Sequence, residues 1–176
     1  MSINGVILKK DFHKYLGTNE LPFVVSSDGL EELKFKTRSA RQSLSISTQK
    51  DVREGRININ ASDGYVYLTT KRLVFITATQ GDLESFVIDL NLAPILQLTH
   101  KLQAPWFGAN YWQFLFFSAP SPSIASDGFP KNEYFKGELR FLDGGLFEFV
   151  DVLNKVLNDV LNNREIDDEL PSYSSR

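Results

Sequence analysis

The chain has 176 residues, 42% of them hydrophobic and 23% charged, which is the composition of one globular domain with short tails. The absence of cysteine excludes disulfides, thiolate catalysis, zinc–thiolate sites and iron–sulfur clusters. A formal net charge of -3 argues against direct nucleic-acid binding by the whole surface, because such binding requires many Lys and Arg side chains to neutralise phosphates.

The first ten residues lack the pattern of a secretory signal, and no segment approaches the apolar run of a membrane-spanning helix. We therefore expect a cytoplasmic protein, with the nucleus and the surface of membranes as further locations. Any membrane contact would then be peripheral.

Residues 1–20 mix charges with one brief apolar run, which indicates an extended arm with room for one edge strand. The apolar run at residues 23–25 and the alternation at residues 33–36 predict two early strands. Residues 37–63 are rich in Ser, Arg, Gln, Asn and Asp, so they are most simply a long solvated insertion in which a hairpin could form.

Two runs of β-branched and aromatic residues, 64–69 and 72–77, are separated only by Thr70 and Lys71, which predicts a tight hairpin. The segment after Ser118 is rich in Pro, Gly and Ser, which is typical of a loop. Further strands are predicted at residues 85–90, 95–102, 112–117 and 134–141.

Apolar residues then recur at steps of three and four from Leu146 to Leu161, which predicts an amphipathic helix. Residues 164–176 are acidic and polar, and we expect them to form a disordered tail. About seven strands followed by one helix predict a mainly β (α+β) domain over residues 21–163. Its expected form is a bent antiparallel barrel of the pleckstrin-homology type, capped by the C-terminal helix.

Two stretches carry a resemblance to known families. Residues 64–75, Gly-Tyr-Val-Tyr-Leu-Thr-Thr-Lys-Arg-Leu-Val-Phe, resemble the GRAM domain pattern. Residues 105–111, Pro-Trp-Phe-Gly-Ala-Asn-Tyr, together with residues 85–86, 136–141 and 144–149, look like the WW-domain-binding protein 2 family. The similarity spans roughly residues 21–161.

The resemblance implies a WW-domain partner such as a HECT-type ubiquitin ligase, and a role as a transcriptional coactivator. The family carries several Pro-Pro-x-Tyr motifs in a long tail, whereas this chain has one related motif, formed by Leu170, Pro171, Ser172 and Tyr173. Pro171 favours an extended backbone and Tyr173 offers a flat ring to an aromatic groove, as a WW ligand requires. The alternative is a chance Pro and Tyr in an exposed tail.

A lipid headgroup site is a second hypothesis. If the pleckstrin-type topology holds, basic side chains near the early strands and the hairpin could meet at one mouth of the barrel and bind a phosphoinositide. The alternative is a solvated face, which we favour because the basic residues form no dense run. The candidates are Lys34, Lys36, Arg38, Lys71 and Arg72, with Arg41 nearby.

The aromatic residues Trp106, Phe107 and Tyr111 surround Gly108, and we expect them to belong to the core, with Gly108 permitting a bulge or a positive backbone angle. The alternative is an exposed recognition loop. We also expect burial of residues 114–117, Phe-Leu-Phe-Phe.

Catalysis has little support in the sequence. The histidines, His13 and His100, have no metal-ligand spacing, and the acidic cluster at residues 165–169 lies in the expected tail. We expect neither a metal nor a cofactor, and the favoured interpretation is a non-enzymatic, membrane-associated adaptor. The competing interpretation is a lipid or small-ligand carrier with a hollow interior, although fourteen phenylalanines favour a filled core.

Overall fold

The computed structural model describes residues 1–49, 56–121 and 126–174, with side chains described up to residue 162. Short 3-10 helices lie at Phe12–Tyr15 and Leu90–Leu92, and one α-helix, α1, spans Leu146–Ser174. The strands are β1 (Ser2–Ile3), β2 (Leu33–Lys36), β3 (Gln42–Thr48), β4 (Asn58–Thr69), β5 (Arg72–Thr77), β6 (Ser85–Asp89), β7 (Thr99–Gln103), β8 (Tyr111–Phe117) and β9 (Tyr134–Phe141).

The strands described form one antiparallel sheet in the order β1-β6-β5-β4-β3-β9-β8-β7. The long strand β4 pairs with β5 along one side, and on its other side with β3 near its start and β2 near its end. The mainly β fold with a C-terminal helix is therefore as predicted. The predicted seven-stranded barrel is corrected to an open sheet of nine strands, because β1 and β7 are edges that pair with only one strand each.

The expected solvated insertion at residues 37–63 is wrong for the part that the structure describes, whereas the hairpin that it allowed is present as β3 paired with β4. Its residues supply β3 and the first half of β4, and β3 lies in the middle of the sheet between β4 and β9. Leu44 and Ile46 are buried, so this polar-looking strand belongs to the core. The physical reason is that its outward positions are serines, which hide a period of two in a Ser-rich sequence.

The predicted β4–β5 hairpin is confirmed, with Leu68 opposite Leu73 across the turn. The N-terminal arm adds the edge strand β1, which pairs with β6. The apolar run at residues 23–25 makes only a single bridge, between Phe23 and Leu8, instead of a strand. The strand predicted at residues 95–102 begins only at Thr99, because the preceding residues form a turn in which Gln97 has a positive φ of 48°.

The sheet buries apolar side chains on both faces of its first half. One cluster lies under the N-terminal arm and joins Val6 and Phe23 to the outer face of β4, β5 and β6. The larger cluster fills the concave side and is closed by α1. Its fully buried aromatic residues are Phe86, Trp112, Phe114, Phe116, Phe135 and Phe149.

The amphipathic stripe predicted for the helix is confirmed, since Leu146, Phe149 and Leu153 are buried while Phe147 is 65% exposed. The helical backbone continues beyond Leu161 to Ser174, through the segment for which the sequence predicts a disordered tail. This helical course includes Pro171 and Tyr173, for which the WW-ligand hypothesis expects an extended backbone.

Candidate functional site

The five basic residues of the headgroup hypothesis do not share one depression. Lys71 and Arg72 line a depression beside the β4–β5 turn, together with Val24 and Glu31. Lys36 and Arg38 line another, between β2 and the start of α1. Lys34 forms an exposed ion pair with Glu32 at 3.3 Å.

The Arg72 guanidinium is committed to an internal pair. Its Nε donates to Glu31 Oε2 at 2.9 Å and its Nη2 donates to Glu31 Oε1 at 2.8 Å. The Glu31 side chain is only 1% exposed, and the guanidinium also lies 5.1 Å from the centre of the Phe23 ring. Because a buried carboxylate needs its partner, Arg72 stabilises the position of residues 23–31 over the hairpin.

Lys71 is held in a similar way at the surface. Its Nζ donates to Asp28 Oδ2 at 2.7 Å and to Ser26 Oγ at 3.3 Å. The hydrogen bond from Lys71, followed by those from the amide of Leu30 and the hydroxyl of Ser26, lowers the pKa of Asp28 to about 2. An anionic ligand at this depression would therefore compete with carboxylates that already pair with Lys71 and Arg72.

The second depression has a more open basic residue. Arg38 is exposed, and Lys36 Nζ donates to the Gly17 carbonyl oxygen at 3.4 Å. Asp143, on the same wall, accepts from Ser39 Oγ at 2.7 Å and pairs with Arg41 Nε at 2.7 Å. Of the two depressions, this one leaves the Arg38 guanidinium accessible to an anion, and its lining also includes the exposed carboxylate of Glu148.

The expectation that Trp106 and Phe107 belong to the core is wrong. Their side chains are 98% and 94% exposed, at the tip of the loop between β7 and β8. Tyr111 behaves differently, since its half-buried ring lies 4.3 Å from the Arg140 guanidinium carbon. The physical reason is position, because residues 104–110 connect the ends of two paired strands and no described element covers Trp106 or Phe107.

Gly108 has the positive backbone angle that the sequence predicts, with φ of 95°. Nothing lies within 4 Å of the place where its Cβ would be, so the loop stands clear of the rest of the described chain. In the sequence, Pro105 and Gly108 flank the two rings, and this turn chemistry between two strands was the available signal of exposure.

Residues 114–117 show the burial expected of a half-covered strand. Phe114 and Phe116 point into the concave core and are at most 1% exposed. Leu115 and Phe117 lie on the other face and are half-buried. The predicted burial is thus confirmed for Phe114 and Phe116, and only in part for Leu115 and Phe117.

The histidines have structural partners. His100 Nδ1 accepts from the Trp112 indole Nε1–H at 3.2 Å, and burial lowers the pKa of His100. His13 stacks against Phe12 with ring centres 4.0 Å apart. No group of three His, Asp or Glu side chains within the described ranges is arranged to hold a metal ion.

The side chains of the Leu170–Tyr173 motif lie outside the described residues.

The described part of the chain has no helix that is both long and apolar enough to cross a membrane. No protein-family model matches the chain. A UPF0664 stress-induced protein of Schizosaccharomyces pombe is 31% identical over 117 residues, which cover 62% of this chain and 60% of that protein. The chain thus matches about three fifths of the length of this curated relative.

Among solved structures, the Vps36 N-terminal PH domain is similar, with a TM-score of 0.50 and 14% identity over 89% of this chain and 93% of that one. A chain of the 8S snRNP assembly intermediate has a TM-score of 0.42 and 14% identity, over 78% of this chain and 86% of that one. The first similarity agrees with the antiparallel sheet and the C-terminal helix described above. The fold of this chain is therefore pleckstrin-homology-like, with an open sheet.

Proposed function

We propose that this chain is a non-enzymatic binding module that associates peripherally with membranes and links them to a protein partner. The observation that carries the proposal is the packing of aromatic rings inside the pleckstrin-like fold, which favours ligands at the outer surface. The resemblance of residues 64–75 and 105–111 to GRAM domains and to the WW-domain-binding protein 2 family supports the same role.

The interior is filled by aromatic rings in mutual contact. Trp112 stacks on Phe114 with ring centres 4.8 Å apart, and Phe149 of the helix meets Trp112 edge-on at 5.3 Å. Phe86 extends the stack from the other side, 5.9 Å from Phe114. A carrier of lipids or small ligands needs an internal cavity, so this packing favours the surface-binding module over the carrier.

Vesicle flotation tests the membrane part of the proposal. We expect the full chain to float with vesicles of phosphatidylcholine and phosphatidylserine, and more strongly when a phosphoinositide is added if the depression with Lys36 and Arg38 binds headgroups. Arg38→Ala should then abolish the phosphoinositide increment, whereas Lys34→Ala, at an exposed ion pair, should not. A chain that stays unbound with every vesicle composition would remove membrane association from the proposal.

Titration of a WW domain from a HECT-type ubiquitin ligase tests the protein part. We expect the full chain to bind through Leu170, Pro171, Ser172 and Tyr173, and Tyr173→Ala to weaken the complex by roughly tenfold or more, since an aromatic anchor is a typical hot spot. The matched control is Tyr134→Ala, which removes a partly exposed tyrosine ring on β9, outside the motif. Equal affinities of the wild type and the Tyr173 variant would contradict the motif.

The family resemblance also extends the proposal to the nucleus, where a transcriptional coactivator would act. This extension depends on the same motif, because a coactivator of this type works through the proteins that it recruits. Loss of nuclear partners in the Tyr173→Ala chain would support it, and their full retention would argue against it.

A further inference from the structure

We propose that the loop of residues 104–110 inserts Trp106 and Phe107 into the interfacial layer of a lipid bilayer. The inference rests on the proposed membrane association and names the means: burial of two aromatic rings at the end of the sheet, assisted by nearby cations. Headgroup recognition in a closed pocket is not required for it.

Exposure is the first step of the argument. Residues 104–109 form an unbroken exposed run, and among the described residues no ring contact involves Trp106 or Phe107. Two adjacent aromatic side chains at 98% and 94% exposure form an apolar patch that no other described residue covers. Removing this patch from water would be favourable, and a second molecule such as a lipid bilayer can do so.

The chemistry of the loop fits the membrane–water interface. The segment from Leu102 to Asn110 contains no charged side chain, and tryptophan is enriched at that depth because its ring is apolar while its indole N–H still donates. Within the described ranges no hydrogen bond involves the backbone of residues 104–109. These amides and carbonyls need water or headgroups, which limits insertion to the interfacial layer.

The charges around the loop favour an anionic surface. Gln42 pairs with Phe141 and Trp112 pairs with Leu139, so β3 begins, β9 ends and β8 begins at the same end of the sheet. The exposed guanidinium of Arg38, just before β3, therefore belongs to the end that carries the loop. Lys101 on β7 is also exposed.

Two carboxylates near this end are paired with cations, whereas the exposed Glu148 on α1 forms no ion pair among the described residues. Asp143 pairs with Arg41, and Glu138 pairs with Arg140 at 2.8 Å. The end thus offers cations to lipid phosphates and carboxylates while part of its own negative charge is compensated. A protein partner would need one pocket for each of two adjacent rings on a convex tip, whereas a bilayer accepts both without shape complementarity.

The distribution of tryptophans gives a direct readout. The chain has two, and Trp112 is only 1% exposed in the core, so the solvent-exposed part of the emission belongs to Trp106. On addition of phosphatidylcholine–phosphatidylserine vesicles to the full chain, we expect a blue shift of the emission and quenching by brominated lipid chains. Trp106→Phe should remove both signals and still bind, because a ring remains at the tip.

The binding test uses a double variant. Trp106→Ala/Phe107→Ala should lower the vesicle partition coefficient by roughly tenfold or more, because the bilayer would no longer bury the two aromatic rings on binding. The matched control is Ile7→Ala/Leu30→Ala, which trims two side chains that are each 69% exposed elsewhere on the surface. The control should bind as the wild type does, and both variants should keep the wild-type circular dichroism.

The outcomes separate this inference from the proposed function. If the wild type and the double variant bind vesicles equally and the emission shows no blue shift, insertion is overturned while membrane association stands. A wild type that binds no vesicle would overturn both. A blue shift with a protein partner but none with vesicles would make the loop a protein contact and overturn the proposal.

Discussion

One hydrogen bond joins the titratable ring of His100 to the core. Its Nδ1 accepts the indole N–H of the buried Trp112, so the neutral ring carries its proton on Nε2. Partial burial disfavours the charged form and holds the pKa of His100 below its ordinary value of 6.5. The protonated ring could no longer accept from Trp112.

This arrangement predicts a loss of stability on acidification. As the pH falls through about 6.5, the unfolded chain takes up a proton on His100 before the folded chain does, so the free energy of unfolding decreases. Urea unfolding at about pH 7.5 and about pH 5.5 measures the decrease. His100→Gln keeps an acceptor without the titration and should lose less stability over the same interval; an identical loss would show that other groups are responsible.

The two tryptophans show what could and could not be predicted for single residues. Trp112 lies in a strand pattern, and its burial follows from alternation along β8. Trp106 has neighbours of similar hydrophobicity, yet it is 98% exposed. Hydrophobicity alone does not distinguish them, because exposure here depends on whether the chain has already left the sheet.

At the scale of the element, Gly137 shapes the pairing of β8 and β9. It lies opposite Phe114, and a Cβ at this position would overlap the Phe114 ring. The ring thus packs directly over the glycine backbone. A larger residue would have to displace a ring that also contacts Trp112 and Phe86.

We expect Gly137→Ala to lower the free energy of unfolding by about 1–3 kcal/mol, which is the usual cost of overpacking. Chemical denaturation measures the change. The control is a double-mutant cycle with Phe114→Leu, in which the smaller side chain should reduce the cost of the alanine. Equal costs in both backgrounds would indicate that the ring is not the obstacle.

Strands differ in how well their own sequences predict them. The β4–β5 hairpin has β-branched and aromatic residues throughout, and it was predicted with its turn. Strand β3 alternates Gln42, Leu44, Ile46 and Thr48 inward with serines outward, and only two of the inward residues are apolar. Strand β3 lies in the middle of the sheet because it pairs with β9, which is distant in the chain. No local sequence pattern predicts such a contact.

At the scale of the whole molecule, α1 closes the concave side of the sheet through Phe149. This ring contacts Phe35 at 5.7 Å, Trp112 at 5.3 Å and Phe141 at 5.2 Å, and so joins three strands. Phe147, two residues earlier, is 65% exposed. The helix therefore offers the same residue type in a buried and in an exposed position.

Phe149→Ala should lower the free energy of unfolding by about 3–5 kcal/mol, as removal of a buried aromatic ring does. Phe147→Ala, the control on the same helix, should change it by no more than about 0.5 kcal/mol. Thermal and urea unfolding of the pair of variants test this. Similar losses in both would mean that the helix does not dock through its predicted face.

The fold class could be predicted because the order of strands and helix is visible in hydrophobic period, and the stripe from Leu146 to Leu161 identifies the capping element. The open edges of the sheet could not be predicted, because a barrel closes only if its two edge strands, β1 and β7, pair with each other. The candidate site was predicted in part: the basic residues were identified, but not their division between two depressions, in one of which Lys71 and Arg72 pair with Asp28 and Glu31.

The central position of β3 has a consequence for the nascent chain. Gln42 pairs with Phe141, so the partner strand β9 is synthesised about a hundred residues after β3, and contacts this distant form late. Until then Leu44 and Ile46 lack their neighbours on β9, and one side of β3 stays available to other strands. Ribosome-bound intermediates that end before β9 should accordingly recruit chaperones, and those that include the start of α1 should release them.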